Sequence, residues 1–151
     1  MSLKKKILLG LFIGFVVIQF IQPARNKSDQ VLSTDIKKIY AIPRNVTSIL
    51  KNSCYDCHSS STRYPWYSFI QPGAWFMASH IRKGNAKLNF SEFGALSNRK
   101  QRSKLQEMAN SIKDETMPLW SFTLIHQNAK LSADEKTLLV NWMISTKDSL
   151  H

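Results

Sequence analysis

The chain is short of the residues on which most binding motifs are built. It has two cysteines and five glycines in 151 residues. Both cysteines fall in one stretch, and no second Cys/His pair at zinc spacing follows, so the four ligands of a structural zinc site are missing. There is no glycine-rich phosphate loop, no internal repeat and no low-complexity segment. No βαβ pattern surrounds the cysteines, which argues against a thioredoxin-type redox pair. Acidic residues are scarce too: ten Asp and Glu against 21 Lys and Arg, a formal net charge of +11. A basic balance suggests nucleic acid only where the bases form a stripe interleaved with aromatics. Here they are scattered between acids or gathered in Lys4-Lys5-Lys6, so no nucleic-acid partner is expected. A solvated basic face, or a docking surface for an acidic protein partner, accounts for the charge.

The lysine cluster precedes an apolar run from Ile7 to Ile21, broken only by glycines and Gln19. Positive charge ahead of such a run keeps the N-terminus in the cytoplasm and sends the rest outward. The run is short for a spanning helix, where ~20 residues are usual. It is long for a signal-peptide core, and Gln22-Pro23-Ala24-Arg25 is a poor cleavage site. Residues 1–25 therefore read as an uncleaved signal anchor, with a cleaved signal as the alternative. Residues 26–42, polar and charged, read as a tether, and 43–151 as one domain outside the cytoplasm.

What that domain does have is Cys54-Tyr55-Asp56-Cys57-His58. Two cysteines two residues apart, followed at once by histidine, form the attachment signature of c-type haem. One helical turn sets both sulfurs along one haem edge for two thioether bonds, and the histidine turns in toward the iron. This predicts one haem c, held covalently by Cys54 and Cys57 with His58 as an axial ligand. The alternatives for the pair are a structural disulfide and a thiol–disulfide redox centre.

Helical periodicity predicts an all-α domain around that group. Pro43 opens a short helix carrying Val46, Ile49 and Leu50 into the motif. Ser59 to Tyr64 is a polar loop, and prolines punctuate the region after it. A helix over about 74–83, closed by Gly84, carries Trp75, Phe76 and His80. Trp66, Trp75 and His80 are candidate walls of the haem pocket, though plain core packing explains the aromatics equally well. Leu105, Met108, Ala109 and Ile112 make an apolar stripe on a helix over 99–113. Ser132-Ala133-Asp134-Glu135 is a capping box, and Leu138, Leu139, Trp142 and Met143 form the buried face of a closing helix. Met77 and Met143 are expected in the core, and His151, the last residue, is expected to be disordered.

The chain resembles the membrane-anchored, cytochrome c-like haem-binding domain proteins of bacteria. The resemblance rests on Cys54 to Ser59, Thr62, Pro65-Trp66-Tyr67, Pro72, Trp75, His80-Ile81, Gly84 and Leu88-Asn89-Phe90-Ser91. It continues through Met117-Pro118 and His126 to Trp142. It implies a small cytochrome c-like helical domain with covalent haem, on the periplasmic side of the inner membrane. For the second axial position, Met117 stands in a loop before the closing helix, where Pro118 favours an extended backbone. His80 and His126 are the other candidates. An electron carrier without enzymatic activity, served by redox partner proteins, is the expectation. A peroxidase-like enzyme or a gas or redox sensor with an open sixth position is the alternative.

Overall fold

The computed structural model describes residues 2–28 and 30–150, so His151 lies outside the described residues. Among these, every regular element is helical: α1 (Leu3–Ile18), α2 (Ile36–Ile39), α3 (Arg44–Ser53), α4 (Tyr55–His58), α5 (Gly73–Lys87), α6 (Asn98–Lys113), α7 (Trp120–Ile125) and α8 (Ala133–Asp148). Short 3-10 turns at Trp66–Phe69, Phe90–Ala95 and Gln127–Ala129 link them.

The frame is the pair α6 and α8, packed extensively on one another, with α3 packed on α8. The apolar stripe of α6 is buried as its spacing predicts, from Leu105 to Ile112. On α8, Leu139, Trp142 and Met143 are buried, while Leu138 sits half-buried at the edge of the cluster. The capping box forms: Glu135 N–H donates to Ser132 Oγ (3.2 Å), and Ser132 N–H donates to Glu135 Oε2 (2.9 Å). Val46, Ile49 and Leu50 of α3 close the core with Phe90 and Phe93. Pro43 stands at the N-cap of α3, one place earlier than predicted.

One expectation is corrected. The tether over 26–42 is packed onto the domain. Ile36 is wholly buried in the core. Tyr40 meets Phe93 edge-on at 6.2 Å, and Gly94 N–H donates to Thr34 O (2.8 Å). Further back, Thr62 N–H donates to Asn26 O (3.0 Å), while Asn26 Nδ2 donates to Ser59 O (2.8 Å) and Thr62 Oγ1 (2.9 Å). The helix at the start of the chain is short. The 16 residues of α1 rise about 24 Å, against a hydrocarbon core of ~30 Å. No helix among the described residues is long and apolar enough to cross a membrane. The helix ends at Ile18, and the side chain of the next residue, Gln19, reaches the domain, where its Oε1 accepts from Gln71 N–H (2.9 Å).

Removing core volume should cost more than removing a cap. Leu139→Ala is expected to lower stability by about 2–5 kcal/mol and Ser132→Ala by about 1 kcal/mol. Urea denaturation followed by far-ultraviolet dichroism compares the two midpoints, and the ranking should hold.

Candidate haem site

The motif is one turn of helix pinned from three sides. Cys54 ends α3 and opens α4, and its carbonyl accepts from both Cys57 N–H (3.2 Å) and His58 N–H (3.0 Å). Both thiols are unpaired. Between them, Asp56 is buried and held by Arg63 through two parallel bonds of 3.0 Å, Nε to Oδ1 and Nη2 to Oδ2. Such a fork fixes direction as well as distance. Arg63 also donates to Lys51 O (2.7 Å), so one guanidinium ties the motif to the helix before it. Thr62 Oγ1 donates to Asp56 O (2.7 Å) and Ser59 Oγ to Tyr55 O (2.8 Å). The polar stretch Ser59–Arg63 thus clamps the motif rather than merely turning the chain. Tyr55 lies against Phe90 with ring centroids 5.0 Å apart, and the Lys37 ammonium sits 4.5 Å over its ring.

His58 is oriented by the end of α5. Its Nδ1 lies 3.1 Å from both Gly84 O and Leu88 O. Two carbonyls facing one ring nitrogen require that nitrogen to carry the proton, so Nε2 keeps the free lone pair. Burial lowers the pKa of His58; the two carbonyls oppose this and Lys87 adds to it. The ring is therefore a neutral, pre-aimed donor, the state in which histidine binds metal. Gly84 makes the approach possible. A Cβ there would stand 2.4 Å from Cys57 O and 3.3 Å from Cys57 Cβ. The helix does not stop at this glycine, as predicted, but runs through it to Lys87. Close packing of α5 on α4, rather than helix termination, requires the missing side chain.

Two neighbouring cavities flank the motif. One, of about 370 Å³, is lined by Cys54, His58, Leu88, Phe90, Met117 and Met143. The other, of about 140 Å³, is lined by Cys57, Tyr67, Met77, His80, Phe122 and His126. Leu119 borders both. Met117 is half-buried, and its loop folds back on α6, with Thr116 and Met117 N–H donating to Ser111 O (3.0 and 3.2 Å). Met143 serves the core and the cavity wall together, whereas Met77 is a half-buried wall residue.

The two other candidate histidines, His80 and His126, fall on the Cys57 side. His80 Nδ1 contacts Phe76 O (2.9 Å), one helical turn earlier. His126 stacks on Phe122, with centroids 4.4 Å apart, and its Nε2 shares a very short hydrogen bond with the Tyr67 hydroxyl. That Tyr67–His126 pair joins segments far apart in sequence and left no periodic signal to find it by. Burial raises the pKa of Tyr67, with Asp56 and Cys57 adding to the shift. Trp66 and Trp75, expected as pocket walls, line neither cavity. Trp66 is 76% exposed and stands edge-on to Tyr67, while the Trp75 indole N–H donates to Ile21 O (3.0 Å), on the side of α1. Aromatic density marks a packed region but not the face each ring takes.

The electrostatics disfavour free-thiol chemistry. Burial, then Cys57, pushes the Cys54 thiol up to about 12; burial, then Asp56, pushes Cys57 up to about 11. Reactive cysteines need the opposite shift. Nor does any group of three or more His, Cys, Asp and Glu suited to a metal ion occur among the described residues. Two unpaired thiols one turn apart, a neutral imidazole with Nε2 free, and a largely apolar cleft do fit a covalently attached haem.

Two outcomes are expected of the chain without its cofactor. Gly84→Ala should cost about 1–3 kcal/mol by overpacking, whereas Gly10→Ala, with nothing within 4 Å of its added Cβ, should cost nothing by that route; thermal melting separates them. A thiol whose folded pKa is raised contributes stability that is full below its unfolded value and lost as pH rises through the folded one. Stability should therefore decline from about pH 9 through about 12. Urea midpoints at stepped pH should show a shallower decline in the Cys54→Ala/Cys57→Ala variant.

Comparison with known proteins supports haem binding. No curated protein and no solved structure matches the chain. A family described as haem-binding domain matches residues 13–145, from within α1 to the last turns of α8. The match takes in both cysteines, His58, Met117 and the helices that enclose them, and the chain belongs to the haem-binding domain family.

Proposed function

We propose that the chain is a membrane-attached c-type cytochrome that passes single electrons between protein partners on the periplasmic side of a bacterial inner membrane. The observation that carries this is the His58 ring. It is held by two backbone carbonyls through Nδ1, neutral by burial, and borders the cavity that Cys54 and Met117 share. In this reading Cys54 and Cys57 would hold the haem through thioethers, and His58 Nε2 and Met117 Sδ would bind its iron. Bound haem supplies a one-electron iron couple. The residues around it set its environment: Leu88, Phe90 and Leu119 exclude water, and Lys87 and Lys104 are the cations at the cavity suited to its carboxylates. With His58 and Met117 both on the iron, no position would remain for substrate, which favours a carrier over an enzyme. The apolar residues of α1, exposed on every side, are inserted in the bilayer.

A second reading draws on the Tyr67–His126 pair beside Cys57, a hydrogen-bonded couple able to hold or release a proton. It suits a peroxidase-like enzyme or a sensor in which Met117 is absent from the iron.

Protein made in a host with a haem-attachment system should keep the mass of one haem after acid-acetone washing. An unmodified polypeptide mass would remove the proposal. Oxidised protein should show the weak charge-transfer band of sulfur–iron ligation near the red end of the visible spectrum. Met117→Ala should abolish that band. If Met117→Ala leaves the spectrum of the unaltered protein unchanged while His80→Ala or His126→Ala turns the iron high-spin, a histidine is the ligand. High-spin spectra in the unaltered protein favour the second reading.

A further inference from the structure

From Tyr64 to Ile81 the chain carries no Asp, Glu, Lys or Arg, although 31 of its 151 residues are charged. The segment is not hidden in the core. Phe69 is 56% exposed and Phe76 58%, with Ile70 and Trp75 also open to solvent. Beside them stand Phe20 and Ile21, exposed at the end of the apolar run. Contiguous apolar surface of this kind marks a site of interaction.

What covers it follows from how the segment is fastened to α1. Gln71 Nε2 and the Trp75 indole N–H both donate to Ile21 O (2.7 and 3.0 Å), and Gln22 Nε2 donates to Phe69 O (3.1 Å). Gln71, with no exposed surface, exchanges bonds with the side chain of Gln19. Arg25 lies 3.9 Å over the Phe69 ring and donates to Ser68 Oγ (3.0 Å). Gln19, Ile21, Gln22 and Arg25 are all bonded to this segment, so its face lies beside the end of α1. The length of α1 supports the same occupant. Its about 24 Å fall roughly 6 Å short of a hydrocarbon core of ~30 Å, a mismatch that thins the bilayer locally and draws the residues flanking the helix to its surface.

We infer that Phe20, Ile21, Phe69, Ile70, Trp75 and Phe76 form a membrane-interface face that holds the domain flat against the bilayer. The inference rests on the proposed insertion of α1. Aromatic rings at headgroup level are a common membrane anchor, and the indole N–H of Trp75 is already satisfied by Ile21 O. Phe76 also lines the cavity beside Cys57, so that cavity lies on the bilayer side of the domain.

The test uses the full chain with its haem, reconstituted into vesicles of phosphatidylethanolamine and phosphatidylglycerol. A photo-crosslinking residue is placed at Ile70, at Phe76 or, on the exposed surface of α6, at Lys100. The protein should float with the vesicles. Illumination should give lipid adducts at positions 70 and 76 and none at 100. Floating protein without lipid adducts at 70 and 76 overturns the inference and leaves insertion of α1 standing. Adducts there to a second copy of the chain overturn it in favour of self-association. Protein that fails to float overturns the insertion and this face together.

Discussion

The domain depends on one close approach, that of α5 to the turn bearing His58. The carbonyls of Gly84 and Leu88 reach His58 Nδ1 only because position 84 has no side chain. From that contact follow the tautomer of the ring, the direction of Nε2 and the position of the wall formed by Leu88 and Phe90. The far side of the motif is fixed by the Arg63 fork on Asp56. The ring's free nitrogen is thus located by backbone on one side and by an ion pair on the other. Arg63 is itself half exposed, so this pair serves position more than stability.

Much of this was legible in the residues, and the parts that were not share a cause. The cysteine–histidine motif, the stripe of α6 and the capped face of α8 are local patterns, set by spacing within one turn or one helix. All three appear where the spacing puts them. The burial of Ile36 was not legible, because a single apolar residue in a polar stretch has no period and its partners, among them Phe93, come much later in the chain. Gly84 carried a signal that was read too locally. A glycine at the end of an apolar helix pattern resembles a terminator, and only the neighbouring Cys57 backbone reveals it as a packing requirement. Trp66 and Trp75 show the limit of composition, since dense aromatics announced a contact surface but not which surface.

The distribution of charge turns out to be more telling than its sum. A net charge of +11 says little alone, since the cations lie mostly on solvated helix faces such as that of α6. The uncharged segment from Tyr64 to Ile81 separates the clamp on the motif from the end of α5, and its side chains divide their roles. Tyr67 and His80 turn toward the cavity beside Cys57, while Phe69, Ile70 and Trp75 turn outward. One stretch therefore supplies both a pocket wall and an apolar exterior.

The packing of residues 26–42 also sets an order in time. Thr34 Oγ1 bonds to Ser91 O, 57 positions later, and Asn26 bonds to Thr62 Oγ1, 36 positions later. Contacts of such long range close only after the intervening chain exists and has found its own shape. The stretch that leaves the ribosome early must wait for its partners, and it docks after the helical turn between Cys54 and His58 has been made. During synthesis the motif is consequently open on the flank that Asn26 later covers, at least until Thr62 has joined the chain.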